Sequence, residues 1–313
     1  MLDLQSPLAM DVRIGMTRYP KALPPKWLYD ETGSRLFDEI TRLPEYYPTE
    51  TERAILRSHA PDIAALSEAT TVVELGSGTS DKTTTLLDAF HHLGALRAFV
   101  PVDVSPEVLH EAAARLRPRY PDAEILPVTA DFTESLPLPP GGEDPRIVAF
   151  LGGTIGNFYP DERRLFLEHL AAALRPGDCL LLGTDLVKSA DRLIAAYHDE
   201  QGVTEQFILN VLSVVNSALG SEFDASTFQY IPVWDAPNTR MDLRLRSLCD
   251  QQVDIPGAGV TASFSEGEEI RVEISTKFQV DDIARELREV GLVPLRVFTD
   301  PAGDFALTLA RRS

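Results

Sequence analysis

Val72-Val73-Glu74-Leu75-Gly76-Ser77-Gly78-Thr79-Ser80-Asp81-Lys82 is the stretch that decides the fold. A short apolar run ends in an acidic residue and opens directly into a Gly-x-Gly turn. A parallel strand hands over to a helix in this way where the backbone passes close to a bound nucleoside. A Cβ at either glycine would push such a ligand away from the loop. A dinucleotide fingerprint would carry a third glycine at position 81, where this chain has Asp81. Without that third glycine, packing a pyrophosphate on the helix N-terminus is disfavoured, and with it an NAD-dependent dehydrogenase. A nucleoside without phosphates fits better, and S-adenosylmethionine is the common cofactor of that kind.

The following elements agree. Ala98 to Ser105 reads as a second strand with Asp103 at its carboxyl end, 27 positions after Gly76. A carboxylate there can accept hydrogen bonds from both ribose hydroxyls. Its other reading is a helix start, since Ser105-Pro106-Glu107 is a good capping sequence; the two are compatible if Ser105 caps while Asp103 binds. A third strand, Glu124 to Val128, leads to Asp131-Phe132, a carboxylate beside an aromatic ring that suits an adenine.

Beyond the Pro- and Gly-rich loop Leu136–Gly142, a fourth strand spans Arg146–Leu151 and ends in Gly152-Gly153-Thr154-Ile155-Gly156-Asn157. A helix follows from Pro160 to Leu174, then a fifth strand from Asp178 to Asp185. Strands alternating with helices at this spacing mean an α/β, doubly wound parallel sheet. The alternation stops from about 189 to 273. Helices (Ala190–His198, Thr204–Leu219) and strands (Arg240–Cys249, Glu268–Ser275) are expected there as a smaller inserted α+β substrate lobe. The α/β pattern then resumes with a helix at Val280–Val290, a strand at Leu292–Thr299, a turn at Asp300–Gly303 and a strand at Phe305–Ala310. That closing pair, with an antiparallel last strand, is the usual end of a class I methyltransferase sheet. The expected organisation is a cofactor domain at 56–188 completed by 276–313, and a lobe at 189–275 joined by residues 1–55. A small molecule is expected in a cleft at the carboxyl ends of the strands.

Composition narrows the partners. The net charge of −19 argues against nucleic acid, which needs clustered Lys and Arg. No run approaches the roughly 18 apolar residues of a membrane span, and the N-terminus lacks a secretory pattern. Cys179 and Cys249, far apart in sequence, make neither a metal site nor a disulfide framework. A cytoplasmic monomer without a metal is the expectation.

At this point the residues resemble a family. Pro24-Pro25-Lys26-Trp27-Leu28-Tyr29-Asp30-Glu31-Thr32-Gly33-Ser34-Arg35-Leu36-Phe37 and Leu43-Pro44-Glu45-Tyr46-Tyr47-Pro48-Thr49-Glu50 are similar to the N-terminal signature of the histidine Nα-methyltransferases of ergothioneine biosynthesis. Gly153-Thr154-Ile155-Gly156-Asn157 and Glu273-Ile274-Ser275-Thr276-Lys277-Phe278 match its later motifs, and the resemblance runs over about residues 20–310. It implies trimethylation of the histidine α-amine by S-adenosylmethionine to the betaine hercynine, with the mono- and dimethyl forms as further substrates. It assigns the cofactor to Tyr29, Gly76, Lys82, Asp103, Asp131, Phe132 and Gly152. It assigns histidine to Tyr46 or Tyr47, Asn157, Tyr197, Thr204, Glu273 and Ser275. Neighbouring side chains of an extended segment face opposite ways, so one tyrosine of the pair should line the pocket, and Tyr46 is favoured. Leu243 stands where the family carries a Met against the imidazole, an apolar exchange of similar volume.

The residue types suit that chemistry. A zwitterionic amino acid asks for a carboxylate near its ammonium, and Glu273 fits. Neutral donors near its carboxylate, Asn157 and Tyr197, avoid a cation that would repel the sulfonium. Each also has a plain structural reading: Glu273 as a solvent-facing strand position, Tyr197 as helix core, Lys82 as a surface charge. Two other functions compete, an N-methyltransferase of another amino acid such as tryptophan, and a non-enzymatic sensor of S-adenosylmethionine or an amino acid.

Overall fold

Strands buried on both faces read as largely apolar runs, and the central strands here do, with their polar residues at or near the strand ends. Arg146–Phe150 and Cys179–Asp185 are buried throughout, and Thr71–Leu75 is buried from Val72 onward. The computed structural model describes residues 5–133, 136, 138 and 144–313; most of the Leu136–Gly142 loop lies outside them.

The chain divides into two compact units. The larger, Pro48–Val187 with Lys277–Ser313, holds the main sheet. Among the described residues its strands run in the order Leu292–Thr299, Phe305–Arg312, Cys179–Asp185, Arg146–Phe150, Thr71–Leu75, Ala98–Asp103, Glu124–Ile125. Phe305–Arg312 is antiparallel to both of its neighbours, and the pairs among the other strands of this unit are parallel. The order is that of a class I methyltransferase. Successive side chains of a strand go to opposite faces. Val72, Ile147 and Leu181 therefore pack with Ile55, Leu56, Leu86 and Phe90 of the helices Tyr47–Ser67 and Thr83–His92. Val73, Val148 and Leu182 pack with Phe166, Leu170, Ile283 and Leu287 of Pro160–Ala173 and Val280–Glu289. Each such buried side chain contributes about 1.5–3 kcal/mol.

The expected third strand is split. Glu124–Ile125 and Val128–Thr129 pair separately with Ala98–Asp103, and Pro127 between them has no N–H to give a ladder. The expected boundary at 55/56 falls inside the helix Tyr47–Ser67, whose Ile55 and Leu56 belong to this unit's core.

The second unit joins the chain up to Tyr47 with Lys188–Thr276. Its four-stranded sheet runs Lys21–Ala22, Glu269–Thr276, Arg240–Ser247, Phe228–Asp235, and a separate hairpin pairs Gln251–Ile255 with Val260–Phe264. Phe228–Asp235 and the hairpin strands were not foreseen. The helix Val203–Leu219 lies between Gly202 and Gly220, both left-handed, and buries Phe207, Ile208, Val211 and Val215. Asp242, wholly buried on Arg240–Ser247, is ion-paired by Arg240, Arg244 and Arg271.

Candidate active site

In the larger unit the residues read as cofactor ligands gather around the first glycine loop. Gly76 adopts φ +67° and Gly78 φ +46°, left-handed values that cost a side-chain-bearing residue. The amides of Gly76 and Ser77 donate to the Val102 carbonyl at 2.9 and 3.1 Å, which ties the loop to the next strand. The Phe132 ring flanks Gly76 so closely that a Cβ there would meet Cε1 at 3.4 Å. Behind it the ring packs edge-on against Phe150, with centroids 5.4 Å apart.

Asp103 is held by the loop it serves: Gly78 N–H donates to Oδ2 at 2.8 Å and Ser105 N–H to Oδ1 at 3.1 Å. Each oxygen keeps a lone pair for another donor. Ser105 also caps the helix Pro106–Leu116, accepting from the Val108 amide, so the capping reading of this strand end holds for Ser105. Asp131 accepts from the Thr133 amide at 2.8 Å. Asp81 is exposed and pairs with Arg115 at 2.9 Å, which places a surface ion pair where a dinucleotide loop needs glycine.

The loop also holds polar groups awaiting partners. The buried hydroxyls of Ser77 and Ser80 and Glu74 Oε2 have no hydrogen-bond partner, and Ser80 sits at φ +55°. Unsatisfied buried polar atoms and a strained non-glycine residue mark a site that a ligand or ordered water completes. Burial pushes the Glu74 carboxyl up to about 8, so it is mostly protonated at neutral pH. Thr83 donates to its other oxygen. The glycine cradle, the ribose-type carboxylate and the Asp131-Phe132 pair fit S-adenosylmethionine.

One residue of this site escaped the sequence reading. Glu52, on the helix Tyr47–Ser67, is wholly buried and holds both Lys82 and the backbone of Gly152. A glutamate one turn into a helix has no sequence signal that separates it from an ordinary solvated one.

In the second unit the residues read as histidine ligands cluster on the sheet. Glu273 and Ser275 follow a bulge at Val272, between Arg271 and Glu273, which shifts the alternation by one residue. Beyond it Glu273 and Ser275 share one face with Ile274 on the other, and both faces are covered, since all three are buried. Bulges commonly re-aim side chains in this way beside functional sites. Leu243, 1 % exposed, lies directly across from Glu273. Tyr197 donates to Ser275 Oγ at 2.8 Å, and the Tyr197 carbonyl accepts from the Tyr230 hydroxyl at 2.7 Å. Tyr230 also escaped the sequence reading. Burial first, then the negative Glu273, drives its phenol well above the usual range.

Tyr46 packs edge-on against Tyr197, with centroids 6.1 Å apart. Tyr47 turns to Lys188, whose ammonium donates to its hydroxyl at 2.6 Å, and to Arg192 over its ring. The pair diverges as expected, but for a different reason. The segment is not extended, since Tyr47 opens the helix Tyr47–Ser67. Thr204 is buried with its hydroxyl unpartnered, its amide bound by Asp199. Tyr29 belongs to this unit, in an aromatic cluster with Phe37 and Phe207. Asn157 belongs to the larger unit, closing the turn Thr154–Asn157.

Sheet order, glycine cradle and strand-end carboxylates together define a class I methyltransferase that uses S-adenosylmethionine. The chain belongs to the histidine-specific, S-adenosylmethionine-dependent methyltransferases, matching that family over residues 8–312. It is 49 % identical over 306 residues to the histidine N-alpha-methyltransferase of Mycobacterium tuberculosis, covering 97 % of this chain and 95 % of that one. It is 34 % identical over 205 residues to ergothioneine biosynthesis protein 1 of Neurospora crassa, covering 64 % of this chain and 23 % of that one. Among solved structures, the mitomycin 7-O-methyltransferase shares the fold with a TM-score of 0.50 at 16 % identity, covering 98 % of this chain and 68 % of that one. The sensor and dehydrogenase readings end here. Among the described residues no helix is long and apolar enough to cross a membrane.

Proposed function

We propose that the chain transfers three methyl groups to the α-nitrogen of L-histidine, giving hercynine for ergothioneine biosynthesis. The observation that carries this reading is the buried Glu273 carboxylate, set just after a bulge in its strand, near the Tyr197–Ser275 hydrogen bond and opposite apolar Leu243. S-adenosylmethionine, when bound, supplies an electrophilic methyl group on a positively charged sulfur; we assign its binding to Gly76, Lys82, Asp103, Asp131, Phe132 and Gly152.

The protein's part is to present a neutral amine in a fixed direction. Glu273 holds the α-ammonium by a charge-assisted hydrogen bond and draws off a proton as each nitrogen lone pair is freed. Positioning of this kind supplies several kcal/mol, with roughly 7–11 as the ceiling. Ser275, oriented by the hydrogen bond it accepts from Tyr197, holds the carboxylate end with a neutral hydroxyl donor. Tyr46 and Leu243 give the imidazole an apolar, edge-on wall, and the buried Thr204 hydroxyl offers a ring nitrogen the partner that burial makes costly to omit. We take the working unit as a cytoplasmic monomer, in keeping with unbridged Cys179 and Cys249; light scattering on the eluted peak tests the monomer.

Mass spectrometry of histidine incubated with the enzyme and S-adenosylmethionine tests the reaction. Three successive methyl additions, with fragments placing all three on the α-nitrogen, are expected. A ladder that stops at one methyl, or methylation of the ring, would overturn it. An enzyme acting on tryptophan would leave histidine unchanged in the same assay.

A further inference from the structure

Glu52 has the environment of a functional carboxylate rather than a helix-surface one. Its side chain is 0 % exposed. Gly152 N–H reaches its two oxygens at 2.9 and 3.0 Å, and Lys82 Nζ donates to Oε2 at 2.6 Å. It also fills the space beside Gly183, leaving no room for a Cβ there. Of the other inward positions of the same helix, Ile55, Leu56 and Ile63 are apolar and Thr49 and Ser67 are uncharged. A buried ion pair is often no more stable than apolar side chains of the same volume, so folding alone gives no reason for a charge at this position.

What Glu52 joins supplies the reason. Lys82 stands at the end of the loop that follows the Thr71–Leu75 strand, and Gly152 at the end of the Arg146–Phe150 strand. These strands are neighbours in the sheet, so Glu52 ties together the two loops that face a class I cofactor. Its carboxylate occupies the Gly152 amide, and Gly152, at φ +77°, turns its bare Cα toward Lys82, whose Nζ would lie 3.4 Å from a Cβ there. It takes one of the three donors of Lys82 and leaves the others, on a side chain 24 % exposed, to meet an anionic group.

We propose that Glu52 is a positioning residue for S-adenosylmethionine, fixing the Lys82 ammonium and the Gly152 backbone as one wall of the cofactor site. The proposal rests on the assignment of Lys82 and Gly152 to that site. If Glu52 acts through Lys82, the two side chains form one unit, and losing both costs little more than losing either.

The test is calorimetry of S-adenosylhomocysteine binding to the wild type, Glu52→Gln, Lys82→Met and the double variant, with melting curves alongside. Each single variant is expected to bind about tenfold more weakly, which is the scale for a charge-assisted hydrogen bond. The double variant should stay within about twofold of Lys82→Met, and the KM for histidine at saturating cofactor should be unchanged. Should Glu52→Gln fail to fold, Glu52→Asp is measured in its place; it keeps the charge but is too short to hold both partners, and the same loss is expected. Losses that multiply in the double variant would overturn the proposal, as would wild-type affinity in the Glu52 variant. Weak binding by Lys82→Met with normal binding by the Glu52 variant would remove Glu52 alone. Normal binding by Lys82→Met would take Lys82 out of the cofactor site and the proposal with it.

Discussion

Tyr197 donates its phenolic hydrogen to Ser275 Oγ across 2.8 Å, joining residues 78 apart in sequence. The contact gives a buried tyrosine a polar partner among the residues proposed to bind histidine. A neutral hydrogen bond contributes about 0.5–1.5 kcal/mol net. Tyr197→Phe is therefore expected to raise the histidine KM by about two- to tenfold and to leave S-adenosylhomocysteine affinity unchanged. Steady-state kinetics and calorimetry read the two effects separately. Equal losses for both ligands would mean that the hydroxyl serves the fold instead.

Asp103 and Ser105 separate ligand binding from helix capping. Asp103→Ala removes the proposed ribose acceptor together with the partner of the Gly78 amide. Charge-assisted hydrogen bonds contribute about 1.5–3 kcal/mol, so S-adenosylhomocysteine should bind roughly tenfold or more weakly by calorimetry. Ser105→Ala removes a cap, which costs about 1 kcal/mol of stability, and should lower the melting temperature without changing that affinity. Unchanged affinity in Asp103→Ala would leave Asp103 a purely structural residue.

Glu74 makes stability depend on pH. Burial is the main cause of its rise from 4.5 to about 8; Thr83 and Lys82 oppose the rise, while Glu52 and Asp103 add to it. Between those values the folded chain keeps a proton that the unfolded chain has released, so stability falls as pH rises. The contribution is full below about pH 4.5, is lost progressively up to about pH 8 and is flat above that. At about 1.36 kcal/mol per unit, the whole effect is on the order of 4–5 kcal/mol at most. Glu74→Gln, which cannot ionise, should be more stable relative to wild type at pH 8.5 than at pH 5.5, as read by urea midpoints. A constant difference between the two pH values would show that Glu74 is charged in the fold.

The parallel sheet was legible because its strands are buried on both faces and so read as unbroken apolar runs, with glycine or acidic residues at their ends. The second unit was less so. Phe228–Asp235 contains Pro232, which argues against a strand, yet it lies at the sheet edge, where a missing N–H is tolerated. The bulge before Glu273 shifts the alternation that sequence reasoning relied on, and burial of both faces from Val272 to Ser275 removes the polar-out signal altogether. Glu52 and Tyr230 were invisible because their partners, Gly152 and Tyr197, come from distant segments, and only tertiary packing brings them together.

Glu273 and Leu243 stand opposite one another on adjacent strands, and together they should set which amino acid is accepted. In the proposed site Glu273 would answer the α-ammonium common to all amino acids, while Leu243 would limit the volume beside the side chain. Glu273→Ala should therefore reduce histidine kcat/KM by about 10- to 100-fold, the scale of a lost charge-assisted hydrogen bond, and spare S-adenosylhomocysteine binding. Adding Leu243→Val removes one methylene-sized volume from a side chain 1 % exposed. Such a buried truncation opens space at a cost of about 0.5–1.5 kcal/mol. The double variant should turn over tryptophan better, relative to histidine, than Glu273→Ala alone. Competition assays with both amino acids, read by mass spectrometry, give the ratio directly. If histidine turnover survives in Glu273→Ala, the buried carboxylate serves only its sheet, and the amino acid binds elsewhere.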